Sequence, residues 1–411
     1  MAFALTGAQL PRSFFPLAAA NLAAQSAEQL SLAAVPIVAV LTLGSGAGEI
    51  GTLAMVQTLP FLLLSIPLGL VADRTSRKWL MIFSEVLRTG SLLGLLAVVL
   101  MGRLSIPLLA VLGFIGAIGT VGFSVAAPAM VPSLVPRELL GRANGRLELA
   151  RSAAYAGGPA LAGALVAWAG ASSAFVIAAM LSAAAVALLI NLVEAPRPAA
   201  IQRHPLHDLR DGALFVWRHD MLRPILLTAI AWNISWFVLQ AAYVPYAVRV
   251  LGLSAGGVGT TLAVYGVGMI AGALVAPRLI GAMPFGRAIQ FGPMVSVLAS
   301  GTMAATLLWP TPVLAVCSFF LFGFGPIIWT ITSTTLRQTA TPSESLGRVG
   351  AIFLTVNAGA RPLGAALGGF IGAGWGESAC LVVAFMGFCL QAAVIVFSRV
   401  SGLRELPAHA G

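Results

Sequence analysis

Charge is what this sequence has least of. Of 411 residues only 9% are Asp, Glu, Lys or Arg, while 59% are hydrophobic; a soluble domain carries about 25% charged residues. Such a chain cannot cover a water-facing surface, so its solvent is lipid. Lysine is nearly missing: the 23 basic residues are 22 Arg and the single Lys78. A phosphate-binding loop needs G-K-[ST], and Lys78 lies between Arg77 and Trp79, so the chain is no ATPase. Every His lies outside the apolar runs, which leaves an intramembrane enzyme without its usual base, and the chain is read as no enzyme. Cys317, Cys380 and Cys389 fall within apolar runs with no C-x-x-C between them, which suits small buried hydrophobes. No cofactor is expected. A cleavable signal peptide is not expected either, because the first apolar run is too long and leads into others.

What is there is a series of long apolar runs. A hydrocarbon core about 30 Å thick takes about 20 apolar residues per helix. Runs of that kind cover residues 14–43, 49–71, 79–101, 106–130, 147–169, 173–193, 224–248, 256–280, 288–308, 312–335, 351–373 and 378–399. Continuous runs predict helices, since a membrane barrel shows alternation in segments of about ten residues. The fold expected is all-α, with twelve membrane crossings. With the N-terminus inside, eighteen of the 23 basic residues fall on the cytoplasmic side. Arg103 and Arg249 fall outside, and Arg88, Arg151 and Arg361 lie within crossings. This is the positive-inside asymmetry, and it places both termini in the cytoplasm. The net charge of +10 then follows from topology and anionic lipid, with no call for nucleic acid.

The chain repeats itself at about half its length. Residues 136–148 (PRELLGRANGRLE) and 342–354 (PSESLGRVGAIFL) share P-x-E-x-L-G-R, GPALAG (158–163) pairs with GAALGG (364–369), and LVADR (70–74) pairs with LVAPR (274–278). The organisation expected is a six-helix half over 1–193, a cytoplasmic linker over 194–223 and a second six-helix half over 224–411. Both halves begin in the cytoplasm, so the repeat is parallel, about an axis along the membrane normal. In the linker, Leu206, Leu209, Ala213 and Val216 recur at helical spacing beside Trp217, predicting a short helix on the inner membrane surface. His204, His207, Asp208 and His219 have no second closely spaced ligand pair, so they read as a solvated linker and not as a metal site.

Polar groups inside the crossings mark the candidate pathway, because each costs free energy in lipid. Asn21, Gln25 and Glu28 form one stripe in the first crossing. Two readings stay open for Glu28, a coupled-proton carrier facing a cavity or a hydrogen bond to a neighbouring helix. In the seventh crossing Asn233, Trp236, Gln240 and Tyr243 share a face, and Trp329 heads a Thr/Ser-rich stretch in the tenth. These fit the walls of a substrate cavity, or, for the Thr/Ser set, glue between helices. Glu85 and Arg88, and likewise Glu148 and Arg151, are three residues apart and can pair; with Arg361 they read as bracing or conformational gating.

One loop motif and several longer stretches point further. Gly69 to Lys78 reads G-x-x-x-D-R-x-S-R-K, which resembles the loop between the second and third helices of the major facilitator superfamily. Ser76 stands where that family usually has Gly. Gly158, Pro159 and Gly163 resemble the G-P-x-x-G-G motif of exporters in that superfamily, with Ala162 at its first terminal Gly. The stretches 140–163, 209–225 and 250–279 look like the branch of enterobactin and macrolide exporters. The resemblance implies two halves rocking about a central cavity. It also implies a gating loop of Gly69, Asp73, Arg74, Arg77 and Lys78, and a coupling acid at Glu28. By it the chain is a proton-driven exporter of a small amphipathic molecule, monomeric, in the bacterial inner membrane. An importer or lysophospholipid flippase on the same fold, and a non-transporting sensor, are the alternatives.

Overall fold

The computed structural model describes residues 10–136, 139–194, 205–342 and 346–406, and these are helical without a strand. The first group of helices is α1 (Phe15–Leu43), α2 (Ala47–Arg74), α3 (Arg77–Leu100), α4 (Ile106–Leu134), α5 (Leu140–Ala169) and α6 (Ala171–Ile190). A short helix α7 (Pro205–Arg218) leads into α8 (Leu222–Arg249), α9 (Ala255–Ala282), α10 (Phe285–Ala305), α11 (Pro312–Thr339) and α12 (Leu346–Val396). Among the described residues ten helices are long and apolar enough to cross a membrane, with α12 counted once. The 51 residues of α12 are broken at Gly376, whose φ of 78° is left-handed, the region where glycine escapes the Cβ clash. Its arms, 346–375 and 377–396, are each long enough for one crossing at 1.5 Å per residue. The 30-residue α5 is long enough too, but its charged first turns and Gly157-Gly158-Pro159 dilute its hydropathy. Adding α5 and the second arm brings the crossings to twelve.

Helix ends depart from the expected runs where polar residues extend or cap them. The cluster expected as a loop over 73–78 is split between two helices: α2 runs through Arg74, and only Thr75 and Ser76 separate it from α3. Ser76 is the N-cap of α3, its Oγ accepting from the Trp79 N–H at 3.2 Å, the role for which serine is favoured at helix starts. α5 begins at Leu140 rather than 147, so Arg142 and Arg146 lie on helical turns that precede the apolar run. The short helix expected in the linker is α7. It packs against α12 and α8, with Gly212 set against Arg348 and Ile352. Val216 is buried and Trp217 exposed beneath Arg223, 5.9 Å from its ring. The side chains of Leu206 and Leu209 lie outside the described residues. His219 caps the start of α8, its Nδ1 accepting from the Met221 N–H at 3.2 Å.

Within the first group α1 packs on α5 and α6, and α3 on α4 and α6; within the second, α8 packs on α12 and α11 on α9 and α10. The groups meet chiefly along α2–α12 and α5–α9. These seams are tight at one end only. A Cβ on Gly163 would lie 2.5 Å from the Ala255 carbonyl oxygen and 2.8 Å from Gly259 Cα, and one on Gly51 would lie 2.4 Å from Gly369 Cα. Such contacts need residues without side chains. At the opposite end of the same helices a Cβ on Gly281 or Gly350 would meet open space, and one on Gly69 only Val125 of its own group at 4.0 Å. The closest glycine contacts between the groups thus gather toward the end away from Ser76, here the sealed end, and these glycines make none at the end that carries Ser76, here the open end.

Candidate functional site: a cavity between the two helix groups

Between the groups lies a cavity of about 590 Å³, within the range of sites for drug-sized molecules. Its two walls differ in chemistry. From α1 to α5 come Glu28, Gln29, Gln57, Phe61, Arg88, Glu148, Arg151 and Tyr155; from α8 to α12 come Trp232, Asn233, Trp236, Gln240, Tyr265, Trp329, Asn357 and Arg361.

The acids and bases of the first wall are mostly matched. Glu85 and Arg88 are buried and pair at 3.0 Å. Ser182 Oγ donates to Glu85 Oε2 at 2.7 Å, and Arg88 donates to the Ala24 carbonyl at 2.9 Å and to Thr120 Oγ1 at 3.0 Å. Such partners are what a buried ion pair requires. Glu148 and Arg151 pair at 3.3 Å, both about half exposed, and Arg151 also lies 5.7 Å from the Tyr155 ring. Glu28 differs. Among the described residues no hydrogen bond or ion pair reaches it, although it lines the same cavity. Arg361 lines the same cavity from the second group, its guanidinium 5.5 Å from the Phe61 ring, within cation–π range.

The second wall is aromatic. Trp232 and Trp236 stack at 5.4 Å with an interplanar angle of 12°. Trp236 meets Tyr265 at 5.3 Å and the edge of Phe322 at 5.1 Å. Asn233 donates to the Ala229 carbonyl at 2.9 Å and to Asn357 Oδ1 at 3.4 Å. Trp232 stands one helical turn before Trp236, a spacing that could have named it from the sequence. Tyr265, Asn357 and Phe61 carried no such signal.

Of the residues expected in the cavity, Glu28, Asn233, Trp236, Gln240 and Trp329 line it. Three do not. Asn21 is buried and its amide donates to the Leu147 carbonyl at 3.3 Å, joining α1 to α5. Tyr243 is fully buried, hydrogen-bonded to Thr261 with its ring 4.5 Å from Phe319. Gln25 lies outside the lining. The stripe on α1 follows the helix past the cavity and into the α5 contact, so only its last member opens on the cavity. Among the residues read as bracing or gating, Arg88, Glu148, Arg151 and Arg361 are themselves part of the lining, as is Pro159 of the exporter-like motif. Gly158 is a close approach to α1, where a Cβ would lie 2.6 Å from Gln29 Cβ.

The cluster at the open end is organised by a residue the sequence did not single out. Glu194, just past α6, accepts from Ser76 Oγ at 2.5 Å and from the backbone N–H groups of Arg77 at 3.1 Å and Lys78 at 3.3 Å. A carboxylate at a helix N-terminus meets free N–H groups and the positive end of the dipole. Arg77 donates to the Ala129 carbonyl, and Lys78 to the Ile190 carbonyl at 2.7 Å. Arg74 is exposed; the Asp73 side chain lies outside the described residues.

The profile of the Major Facilitator Superfamily matches residues 17–365. Similar chains include an uncharacterized MFS-type transporter, y4rN, of Sinorhizobium fredii, 29% identical over 61% of this chain and 63% of its own. The enterobactin exporter EntS of Citrobacter koseri is 27% identical over 74% of this chain and 72% of its own. Among solved structures, a bacterial homologue of the human lysosomal transporter Spinster, inward-facing and occupied, superposes with a TM-score of 0.76 at 15% identity, covering 98% of this chain and all (100%) of its own. A bacterial homologue of the iron transporter ferroportin, in an inward-facing state, gives 0.75 at 17% identity over 95% and 99%.

Proposed function

Because this chain belongs to the Major Facilitator Superfamily of multi-pass membrane transporters, we propose that it exports a small amphipathic molecule in exchange for protons. The observation that carries this reading is Glu28, an acid that no hydrogen bond or ion pair reaches among the described residues, in a cavity whose facing wall is aromatic. A charge in such a place is costly unless it is matched. A proton can match it in one state and leave it in another, so alternating access becomes alternating protonation. The stacked tryptophans suit a flat apolar moiety, while the amides of Asn233, Gln240 and Gln57 suit hydrogen-bonding groups. Export is favoured by likeness to EntS, described as an enterobactin exporter. The open end, with its Arg74, Arg77 and Lys78, is assigned to the cytoplasm by the distribution of basic residues. The loop around Ser76 is then the cytoplasmic gate of a bacterial inner-membrane transporter.

The test has two stages. An efflux screen, in cells with the chain expressed or deleted, identifies the cargo. The purified protein is then placed in vesicles with an imposed pH difference. Glu28→Gln imitates the protonated acid, so uphill transport should fall to background while cargo-for-cargo exchange persists. If the variant still concentrates cargo against its gradient, proton coupling through Glu28 is wrong. An absence of pH-driven transport by the unmodified protein would instead favour the sensor or a facilitated path.

A further inference from the structure

We propose that Arg249 is the latch of the sealed end, holding the two helix groups together there, and that Glu377 positions it. Arg249 is one of the two basic residues that the charge distribution leaves on the far side of the membrane, and the transport reading gives it no role. It is the last residue of α8. One guanidinium nitrogen, Nη1, donates to Glu377 Oε1 at 2.8 Å, at the start of the second arm of α12. The other, Nη2, donates to the Gly44 carbonyl oxygen. Glu377 belongs to the same helix group as Arg249, whereas Gly44 belongs to the other group. The fork therefore has one tine in its own half and one across the divide.

The acceptor across the divide suits the purpose. Gly44 is the C-cap of α1, in the left-handed conformation at φ 66°. Its carbonyl lies at the negative end of that helix, where a cation is favoured. A planar guanidinium offers separate N–H groups in fixed directions, so it can serve both acceptors at once, which an ammonium on a flexible stem does poorly. The chain around it leaves room: a Cβ on Gly46 would lie 3.3 Å from Arg249 Nη1. Just inside the latch the helices already touch, with a Cβ on Gly48 falling 2.9 Å from Ala373 Cβ and one on Gly372 falling 2.4 Å from Ala47 Cβ.

The two contacts have different fates in a rocking cycle. Opening the sealed end must separate α1 from α8, and so breaks Arg249–Gly44. The contact to Glu377 lies within one rigid group and survives. Only the first differs between states, and only a difference between states shifts their populations. Glu377 acts through Arg249: by fixing the guanidinium before the end closes, it lowers the ordering cost of the crossing contact.

The test uses the full chain in nanodiscs, with its three cysteines replaced and spin labels read by pulsed electron resonance. One label pair at Trp168 and Trp309 spans the sealed end, both positions being exposed and neither lying on α8 or on the second arm of α12. A second pair at Leu149 and Leu354, also exposed, spans the open end. Arg249→Ala should add a longer distance at the first pair and a shorter one at the second. The ratio of molecules open at this end to those sealed should rise roughly three- to tenfold, the modest range expected for a partly exposed contact. Glu377→Gln should shift the ratio in the same direction by less. Arg249→Lys should fall between wild type and Arg249→Ala. The exchange Arg249→Glu with Glu377→Arg separates a latch from a brace. It restores a pair within the second group but sets a carboxylate against the Gly44 carbonyl, so the sealed end should stay loosened. Recovery of the wild-type distances in that exchange would show a brace and overturn the proposal, as would unchanged distances in Arg249→Ala. Should Arg249→Ala fail to fold, Arg249→Lys and Glu377→Gln carry the same comparison.

Discussion

The two walls of the cavity come from two helix groups whose sequences share short matching stretches, yet they differ in chemistry. The first wall holds its ions in a lattice: Glu85 with Arg88, Glu148 with Arg151, and Glu28 left over. The second wall holds its polar groups sparsely and fills its surface with Trp232, Trp236 and Tyr265. On the proposed reading this is a division of labour, with charge handling assigned to the first half and cargo contact to the second.

The strongest break in that comparison is at Glu85. Glu85→Ala strands Arg88 in a buried site, at a cost of about 3–5 kcal/mol, read as a large drop in the thermal unfolding temperature of the purified protein. Replacing both members, with Arg88→Met added, should recover most of the loss. Next is Trp236→Ala on the other wall, expected to weaken cargo affinity roughly tenfold, about 1.4 kcal/mol, with a much smaller change in unfolding temperature. Were Trp236→Ala to lower stability as much as Glu85→Ala and leave affinity intact, the division would fail. Smallest is Asn21→Ala, which removes one hydrogen bond between α1 and α5 and should cost about 0.6 kcal/mol of stability. A loss of cargo affinity in that variant would return Asn21 to the cavity.

Much of this architecture was legible beforehand, because lipid tolerates few alternatives to apolar helices. The runs at 14–43 and 106–130 became α1 and α4 with boundaries shifted by a few residues at most. Charged ends were harder. Arg74 and Arg146 looked like loop residues, yet they continue α2 and α5, since a helix can project past the apolar layer into water. Facing was hardest. Asn21 and Glu28 share a stripe, but which part of a stripe meets a cavity depends on how α1 crosses α5, and no spacing within α1 encodes that. Glu194 went unnoticed for a similar reason: it acts on α3 from across the fold, more than a hundred residues away in sequence.

The junction within α12 bears on how the protein is made. Only Gly376 interrupts the helix between its two arms, so they leave the ribosome as a hairpin with almost no loop. The first arm carries Arg348 near its start and Arg361 near its middle, and an arginine at the centre of a crossing opposes membrane insertion by about 2.5–3.5 kcal/mol. The second arm has a single charge, Glu377, at its very start. Entry as a pair would let the apolar second arm offset that cost, so the last two crossings are expected to commit together rather than one by one.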